Sequence, residues 1–457
     1  MAWGETIDPA KQEGLWGGGT HLLKISKVLD WLQNLPPERD DDLVLMMDAF
    51  DIWFQLRKEV LVKRYHRINA EANARIRKRM GRAASIEGIK QTIVFASGKR
   101  CFPNEIHTVA CWPLPPSPLP KDMWYGNTDT TIGSFPNQWS ATRPRFLNSG
   151  LIMGPSKDMR ALFARAAHKI TELGQDPELD DNGSRWSEKV YHHSDQSVFN
   201  IILGEQEYQR EVMRVRHMSW LSSPILKFQS LLGKDLSSTT ETLEGNPIKN
   251  ILNPPWSHVK VPHLAGKPLE FSMGLDYWQL LTFQTANSER NGDWLTHSKK
   301  PLEDQVQNHD RWDCKPHLRA NLPQDILASS PPLLGLDELT EAPPDTAKRS
   351  ITPRDGRSMI TKAWDAVPLY TNICAGTVPV MLHLNGDKGM RDSKWKEMWY
   401  QPYAKQLAQA LNAREGLSLI KGAENEGRRT MEPGSAYSDT GALLSFKDEL
   451  CKNWTFD

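Results

Sequence analysis

The sequence lacks the features that would place it in a membrane or on a nucleic acid. It has no stretch of roughly eighteen or more apolar residues, so nothing in it predicts a helix that spans a bilayer. Lys plus Arg and Asp plus Glu number 56 each, giving a formal net charge of zero. This balance argues against a nucleic-acid binder that relies on overall positive charge. An apolar fraction of 39% with 17 Trp is nevertheless enough for a folded core.

Cysteine is also scarce, and its spacing excludes the common zinc motifs. The five cysteines include no CxxC pair. Cys101 and Cys111 flank a proline-rich loop. They form either a disulfide, which would indicate an oxidising compartment, or two free buried thiols. The sequence leaves both possibilities open.

Short apolar runs alternate with amphipathic helical patterns along much of the chain. The run LVLMM at residues 43–47 is continuous, as expected of a buried parallel strand. This alternation predicts an α/β domain with a mainly parallel sheet flanked by helices. The expected organisation is a first core part at 14–215, a partly disordered insertion and linker at 216–360, a final core strand and helix at 361–412, and a polar tail at 413–457.

Candidate metal ligands follow two of the apolar runs. Asp48 and Asp51 come directly after LVLMM, and His383 follows the run VPVML. Ligands in α/β sheets gather at the carboxyl ends of strands, and two carboxylates three residues apart can reach one hard divalent cation. The sequence therefore predicts a Mg²⁺ or Mn²⁺ site completed by the imidazole. The alternative is a strand end and turn with ordinary polar residues.

Glycines and lysines near helix or strand ends indicate possible phosphate contacts. Gly18 and Gly19 precede a helix that carries Lys24, and Gly386 and Lys388 follow His383. Backbone amides at such places suit an anion. Each glycine is equally compatible with a flexible connector or turn.

Two further polar positions suit the rim of a sugar or acceptor site. Asn148 interrupts an apolar strand pattern, and Asp195 opens a helical one. A strand bulge and a helix cap are the structural alternatives.

The order of these segments is more specific than any one of them. The chain resembles the glycosyltransferase domain of the collagen-lysine-modifying enzymes. It resembles still more closely fungal proteins related to the trypanosome expression-site-associated gene 3 family. The series of shared segments is WGGG from 16, LVLMMDAFD from 43, VFAS from 94, CWP from 111, FLNSGLIMG from 146, DQ from 195 and HLNGDK from 383.

The resemblance implies a GT-A fold and a Mn²⁺-bound nucleotide sugar, expected to be UDP-linked. By motif, Asp48, Asp51 and His383 would hold the metal. Lys24, Gly18, Gly19, Gly386 and Lys388 would lie by the donor, and Asn148 and Asp195 by the sugar or acceptor, with Asp195 as a possible general base. The first nucleotide-binding strand and a membrane anchor are expected from the resemblance but not found. The expected location is the ER or Golgi lumen or the extracellular space, or the cytoplasm if the chain is complete.

Two rival hypotheses belong to other functional classes. One is a catalytically inactive binding protein on a transferase scaffold, since the donor site looks incomplete. The other is a non-haem iron dioxygenase, because His193 and Asp195 with His383 mimic a two-histidine, one-carboxylate triad. The α/β pattern disfavours the dioxygenase, because that class usually carries such a pair on the strands of a jelly roll.

Overall fold

A computed structural model of the chain describes residues 20–48, 51–104, 106, 108–129, 138–174, 194–217, 267–306, 313–336, 359–387, 389–404, 435–437 and 443–445. Its helices are α1 (Thr20–Gln33), α2 (Lys58–Met80), α3 (Arg82–Ile86), α4 (Ser156–Gly174), α5 (Asp195–Arg216), α6 (Gln324–Leu327) and α7 (Gly389–Trp395). Its strands are β1 (Leu43–Met47), β2 (Ile52–Phe54), β3 (Ile93–Gly98), β4 (Phe146–Pro155), β5 (Met273–Asp276), β6 (Thr282–Gln284), β7 (Gly292–Leu295), β8 (Leu333–Leu336), β9 (Met359–Thr361), β10 (Leu369–Asn372), β11 (Met381–His383), β12 (Ser435–Tyr437) and β13 (Leu443–Ser445).

The largest sheet among the described residues has four strands in the order β1-β4-β3-β5. β4 runs antiparallel to both β1 and β3, and only β3 and β5 pair in parallel. The α/β class is confirmed, but the prediction of a mainly parallel sheet is wrong for these strands. A continuous apolar run indicates that both faces of a strand are buried, but it does not indicate the direction of the strand. β4 is buried on both faces and is nevertheless antiparallel to both of its neighbours.

Both faces of this sheet are covered, as the alternating side chains of β3 show. Ile93 and Phe95 pack in a core with α1, α4 and α5, whereas Val94 and Ala96 pack in a second core with α2. Successive side chains of a strand point to opposite faces, so two cores of this kind require an apolar residue at every position. This explains why residues 93–96 of β3 are apolar on both faces.

A smaller sheet lies beside the second core and brings distant parts of the chain together. β11 pairs antiparallel with β2 and parallel with β6. The segment 216–360, expected to be an insertion and linker, thus contributes β6 to this sheet and β5 to the larger one. Its strands are too short for their periodicity to be recognised in the sequence.

Two disulfides join described segments. Cys101 is bonded to Cys111, which resolves the open alternative, and Cys314 is bonded to Cys374, a pairing that the sequence did not reveal. All four cysteines are buried. Within the described residues, no helix combines the length and the apolar character needed to cross a bilayer.

Candidate metal centre

The two acidic residues of the site are placed by the ends of β1 and β2. β1 ends at Met47, and the amide of Asp48 continues its ladder by donating to the Gly150 carbonyl at 3.0 Å. Asp51 lies immediately before β2, and its carbonyl accepts from the Leu384 amide at 2.8 Å. The backbone therefore fixes both acids at a strand end, while their side chains remain 39% and 24% exposed.

His383 reaches the same point from the other sheet. It is the last residue of β11, pairs with Ile52 of β2, and is only 2% exposed. Its Nε2 lies 3.6 Å from Asp48 Oδ2 and 3.4 Å from Asp51 Oδ1. One donor atom from each residue can be chosen so that all three lie within 4.8 Å of one another. The three predicted metal ligands thus converge.

The donor set fits one small divalent ion. Bonds of about 2.1 Å place neighbouring ligands of an octahedral ion about 3 Å apart, close to the separations found here. Carboxylates suit Mg²⁺ and Mn²⁺, and an imidazole is a ligand typical of transition metals. Buried His383 Nδ1 has no hydrogen-bond partner among the described residues, so that side of the ring is held by packing.

Gly150 makes this packing possible, a role that the sequence analysis did not assign. A Cβ at this position would lie 2.1 Å from His383 Cε1 and 2.6 Å from its Nδ1. Contacts below about 3 Å are not tolerated between such atoms, so the imidazole occupies the space that any larger residue would need. The signal in the sequence was the glycine within the polar break of FLNSG.

Lys24 of α1 is turned towards the acids. Its Nζ donates to Asp48 Oδ1 at 2.7 Å and to the Ser149 carbonyl at 3.1 Å, and lies 3.1 Å from Asp195 Oδ2. Burial lowers the pKa of Lys24, but the carboxylates of Asp195 and Asp48 outweigh burial and raise its pKa above the ordinary value. The lysine predicted to contact donor phosphates is therefore engaged with protein acceptors.

The same ammonium influences the ionisation of Asp48. Burial raises the pKa of this carboxyl, but Lys24 and then His383 outweigh that effect and hold the pKa below its ordinary value. A metal ligand must be deprotonated to bind, and Asp48 is ionised at neutral pH in this setting.

Asp195 and Asn148 lie beside the centre but are held by the protein. Asp195 begins α5, where the helix dipole favours a negative charge, and is 4% exposed. Asn148 Nδ2 donates to Gln196 Oε1 at 2.8 Å, and its Oδ1 accepts from the Gly150 amide at 2.9 Å. Gln196 also donates to the Phe102 carbonyl. These contacts build a hydrogen-bonded wall next to the acids.

Of the predicted phosphate contacts, only Gly386 and Lys24 lie within the described residues. The Gly386 amide donates to Thr285 Oγ1 at 3.0 Å, and a Cβ there would lie 2.9 Å from Glu289 Oε1. This glycine permits close packing against the loop after β6. Gly18, Gly19 and Lys388 lie outside the described residues, as does His193 of the dioxygenase hypothesis.

No family model matches the chain, and no curated protein matches it. The function therefore has to be argued from the geometry of the site.

Proposed function

We propose that the protein is a metal-dependent glycosyltransferase of the GT-A type. It would move a sugar from a nucleotide donor, expected to be UDP-linked, to a hydroxyl acceptor. The observation that carries the proposal is the convergence of Asp48, Asp51 and His383, which come from two sheets and from opposite ends of the described chain. Asp48 and His383 lie at the carboxyl ends of β1 and β11, a position at which α/β sheets commonly bind ligands.

In this proposal Asp48, Asp51 and His383 hold a divalent ion, with Mn²⁺ as the best match to the donor set. When bound, such an ion supplies electrostatic stabilisation to a departing nucleoside diphosphate. Both acids are partly exposed, so the centre opens to solvent on the side where a donor would approach. Gly18, Gly19, Gly386 and Lys388 are the proposed donor contacts.

Asp195 is the proposed proton acceptor for a reaction that inverts the anomeric carbon. Its carboxyl group lies at the N-terminus of α5, with Oδ2 3.1 Å from the Lys24 ammonium, beside the metal centre. The acceptor hydroxyl would give its proton to the Asp195 carboxylate as its oxygen attacks the anomeric carbon. Asn148, fixed by Gln196, would shape the wall against which the acceptor lies.

The two disulfides support an oxidising compartment as the place of action. Such bonds persist in the secretory lumen and outside cells and are rare in a reducing cytosol. An ER, Golgi or extracellular location is therefore part of the proposal.

The test is a screen for Mn²⁺-dependent hydrolysis of nucleotide sugars by the wild-type protein and three variants. Asp48→Ala and His383→Ala each remove a ligand, so turnover should fall at least about a hundredfold. Asp41→Ala is the matched control, because Asp41 is 88% exposed and its ion pair is with Lys157, away from the three ligands. Unchanged turnover in both ligand variants would remove the proposal.

A second candidate is a non-catalytic binding protein on the same scaffold. The engagement of Lys24 and Asn148 with protein partners favours it, because both were predicted to face the donor or acceptor. Calorimetry with Mn²⁺ and UDP separates the two candidates. Binding of both with no turnover of any nucleotide sugar would favour the binding protein.

A further inference from the structure

We propose that Lys24 sets the ion preference of the metal centre, favouring Mn²⁺ and Mg²⁺ over Ca²⁺. It would do so by restricting Asp48 to coordination through one oxygen. The inference rests on the metal centre of the proposed function but not on the transferase reaction. Lys24 would therefore be a positioning residue that acts through Asp48.

The Lys24 ammonium is fixed by acceptors from three different elements. It donates to Asp48 Oδ1 after β1 and to the Ser149 carbonyl of β4, and it forms an ion pair with Asp195 at the start of α5. Two of the three ammonium donors are therefore used in hydrogen bonds, and the Asp195 carboxylate adds an electrostatic attraction from a third direction. Its side chain is only 17% exposed, which leaves little space for another position.

The two carboxylate oxygens of Asp48 consequently face different partners. Oδ1 lies 2.7 Å from the Lys24 ammonium, whereas Oδ2 lies 3.6 Å from His383 Nε2. An ion held among Asp48 Oδ2, Asp51 Oδ1 and His383 Nε2 meets Asp48 through one oxygen. An ion that approached both oxygens would come close to a fixed positive charge, and at such distances like-charge repulsion is substantial.

The candidate ions differ in how strongly their binding depends on a carboxylate that offers both of its oxygens. Mg²⁺ requires near-octahedral geometry with bonds of about 2.0–2.1 Å and is satisfied by single carboxylate oxygens. Ca²⁺ takes about six to eight oxygen ligands at longer distances and gains from bidentate carboxylates. Mn²⁺ accepts the same carboxylates as Mg²⁺ and tolerates an imidazole better. Restricting Asp48 to one oxygen thus penalises Ca²⁺ most.

The experiment measures Mn²⁺ binding by electron paramagnetic resonance and Ca²⁺ binding by its displacement of Mn²⁺. In Lys24→Met, Asp48 is free to turn both oxygens to the ion, and the repulsion is gone. The ratio of the Ca²⁺ to the Mn²⁺ dissociation constant should fall about tenfold relative to wild type. Lys24→Arg keeps the charge and should keep the wild-type ratio. Lys78→Met, which removes an exposed charge from α2, should also leave it unchanged.

The outcomes separate this inference from the proposed function. A ratio within twofold of wild type in a folded Lys24→Met variant, with both ions still bound, would overturn the role of Lys24 alone. Failure of the wild-type protein to bind either ion would instead overturn the metal centre and, with it, this inference. If circular dichroism shows that Lys24→Met does not fold, Lys24→Gln replaces it. Glutamine keeps a hydrogen-bond donor for the Ser149 carbonyl but removes the positive charge beside Asp48, so the ratio should move in the same direction, and an unchanged ratio there would count equally against the inference.

Discussion

Gly150 is the residue on which the position of the His383 imidazole most directly depends. In Gly150→Ala the new Cβ would overlap the ring at 2.1 Å, so the imidazole must leave the position in which it faces the two acids. Mn²⁺ affinity should fall about tenfold to a hundredfold, the usual cost of disturbing the surroundings of a metal ligand. Calorimetric titration with Mn²⁺ measures it.

Gly98→Ala is the matched control for this change. Gly98 also lies in the four-stranded sheet, but the nearest atom to its added Cβ would be the Arg100 carbonyl at 3.9 Å. Ordinary van der Waals contact of this kind should leave Mn²⁺ affinity unchanged. Equal affinities of wild type and Gly150→Ala would show that His383 is not positioned as described.

Buried Lys99 should make the protein more stable as the pH rises above neutrality. Burial lowers the pKa of Lys99 to about 7, and the distant charges of Asp313 and Glu289 only partly oppose this. The unfolded chain keeps this lysine protonated up to its ordinary pKa near 10.5, so above pH 7 the unfolded state binds more protons. The free energy of unfolding should therefore rise by about 2 kcal/mol between pH 7 and pH 9.

Urea denaturation at both pH values measures this rise, and Lys99→Met should abolish it. The ammonium lies 4.9 Å from the Trp124 ring centroid and donates to Asn291, so methionine keeps the stem but not these contacts. The difference between the two pH values, rather than the stability at either one, is thus the informative quantity. Lys78→Met should retain the wild-type rise, and an equal rise in Lys99→Met would contradict the assignment.

At this scale the sequence predicted the candidate ligands but not what holds them. Asp48, Asp51 and His383 could be chosen because each follows an apolar run and carries a metal-binding group. The sequence could not predict the partners of Lys24 or the space left by Gly150, since both depend on which strand ends are neighbours. That information is tertiary and leaves no local pattern.

The disulfide between Cys314 and Cys374 ties the segment before α6 to the turn between β10 and β11. It closes a loop with a sequence separation of 60, against 10 for the pair Cys101 and Cys111. In the chain-entropy account, a disulfide that closes a longer loop restricts the unfolded state more. For these two loop lengths, the stabilisation by the two disulfides should differ by about 1.5 kcal/mol. Replacing both Cys314 and Cys374 by Ser should therefore destabilise the protein more than replacing both Cys101 and Cys111.

Urea denaturation at one pH compares the two double variants with wild type. All four cysteines are buried, so lost packing is similar in both variants and the loop lengths decide the difference. Each variant should lose about 2–4 kcal/mol. A larger loss of stability in the variant that lacks the Cys101–Cys111 bond would contradict this prediction. It would argue that strain in the native state, or residual structure in the unfolded state, decides how much each disulfide stabilises the protein.

Secondary structure was predictable where the elements were long or strongly apolar. The run LVLMM forms β1 with the expected bounds, and the helix expected to carry Lys24 is α1, which begins at Thr20. The strands β6 and β7 escaped prediction because three or four residues carry no measurable periodicity. They form through pairing with distant strands, which overrides weak local preference.

For the molecule as a whole, the two sheets meet where the candidate ligands lie, so an ion would join them. β1 supplies Asp48 from one sheet, and β11 supplies His383 from the other. Sequence patterns could not show this, because a continuous apolar run indicates burial on both faces of a sheet and carries no information on strand direction or order. The reversed β4 between β1 and β3 illustrates the point.

Because the ion would bind only the folded arrangement, Mn²⁺ should stabilise the protein against heat. At a free concentration one hundred times its dissociation constant, it should add about 2.7 kcal/mol to the free energy of unfolding. The measurement is the Tm of the wild-type protein with Mn²⁺ and with a chelator. His383→Ala removes the buried donor from β11 and should abolish the increase in Tm, whereas the exposed control Asp41→Ala should retain it. The same increase in wild type and His383→Ala would place the ion elsewhere and separate it from the junction of the sheets.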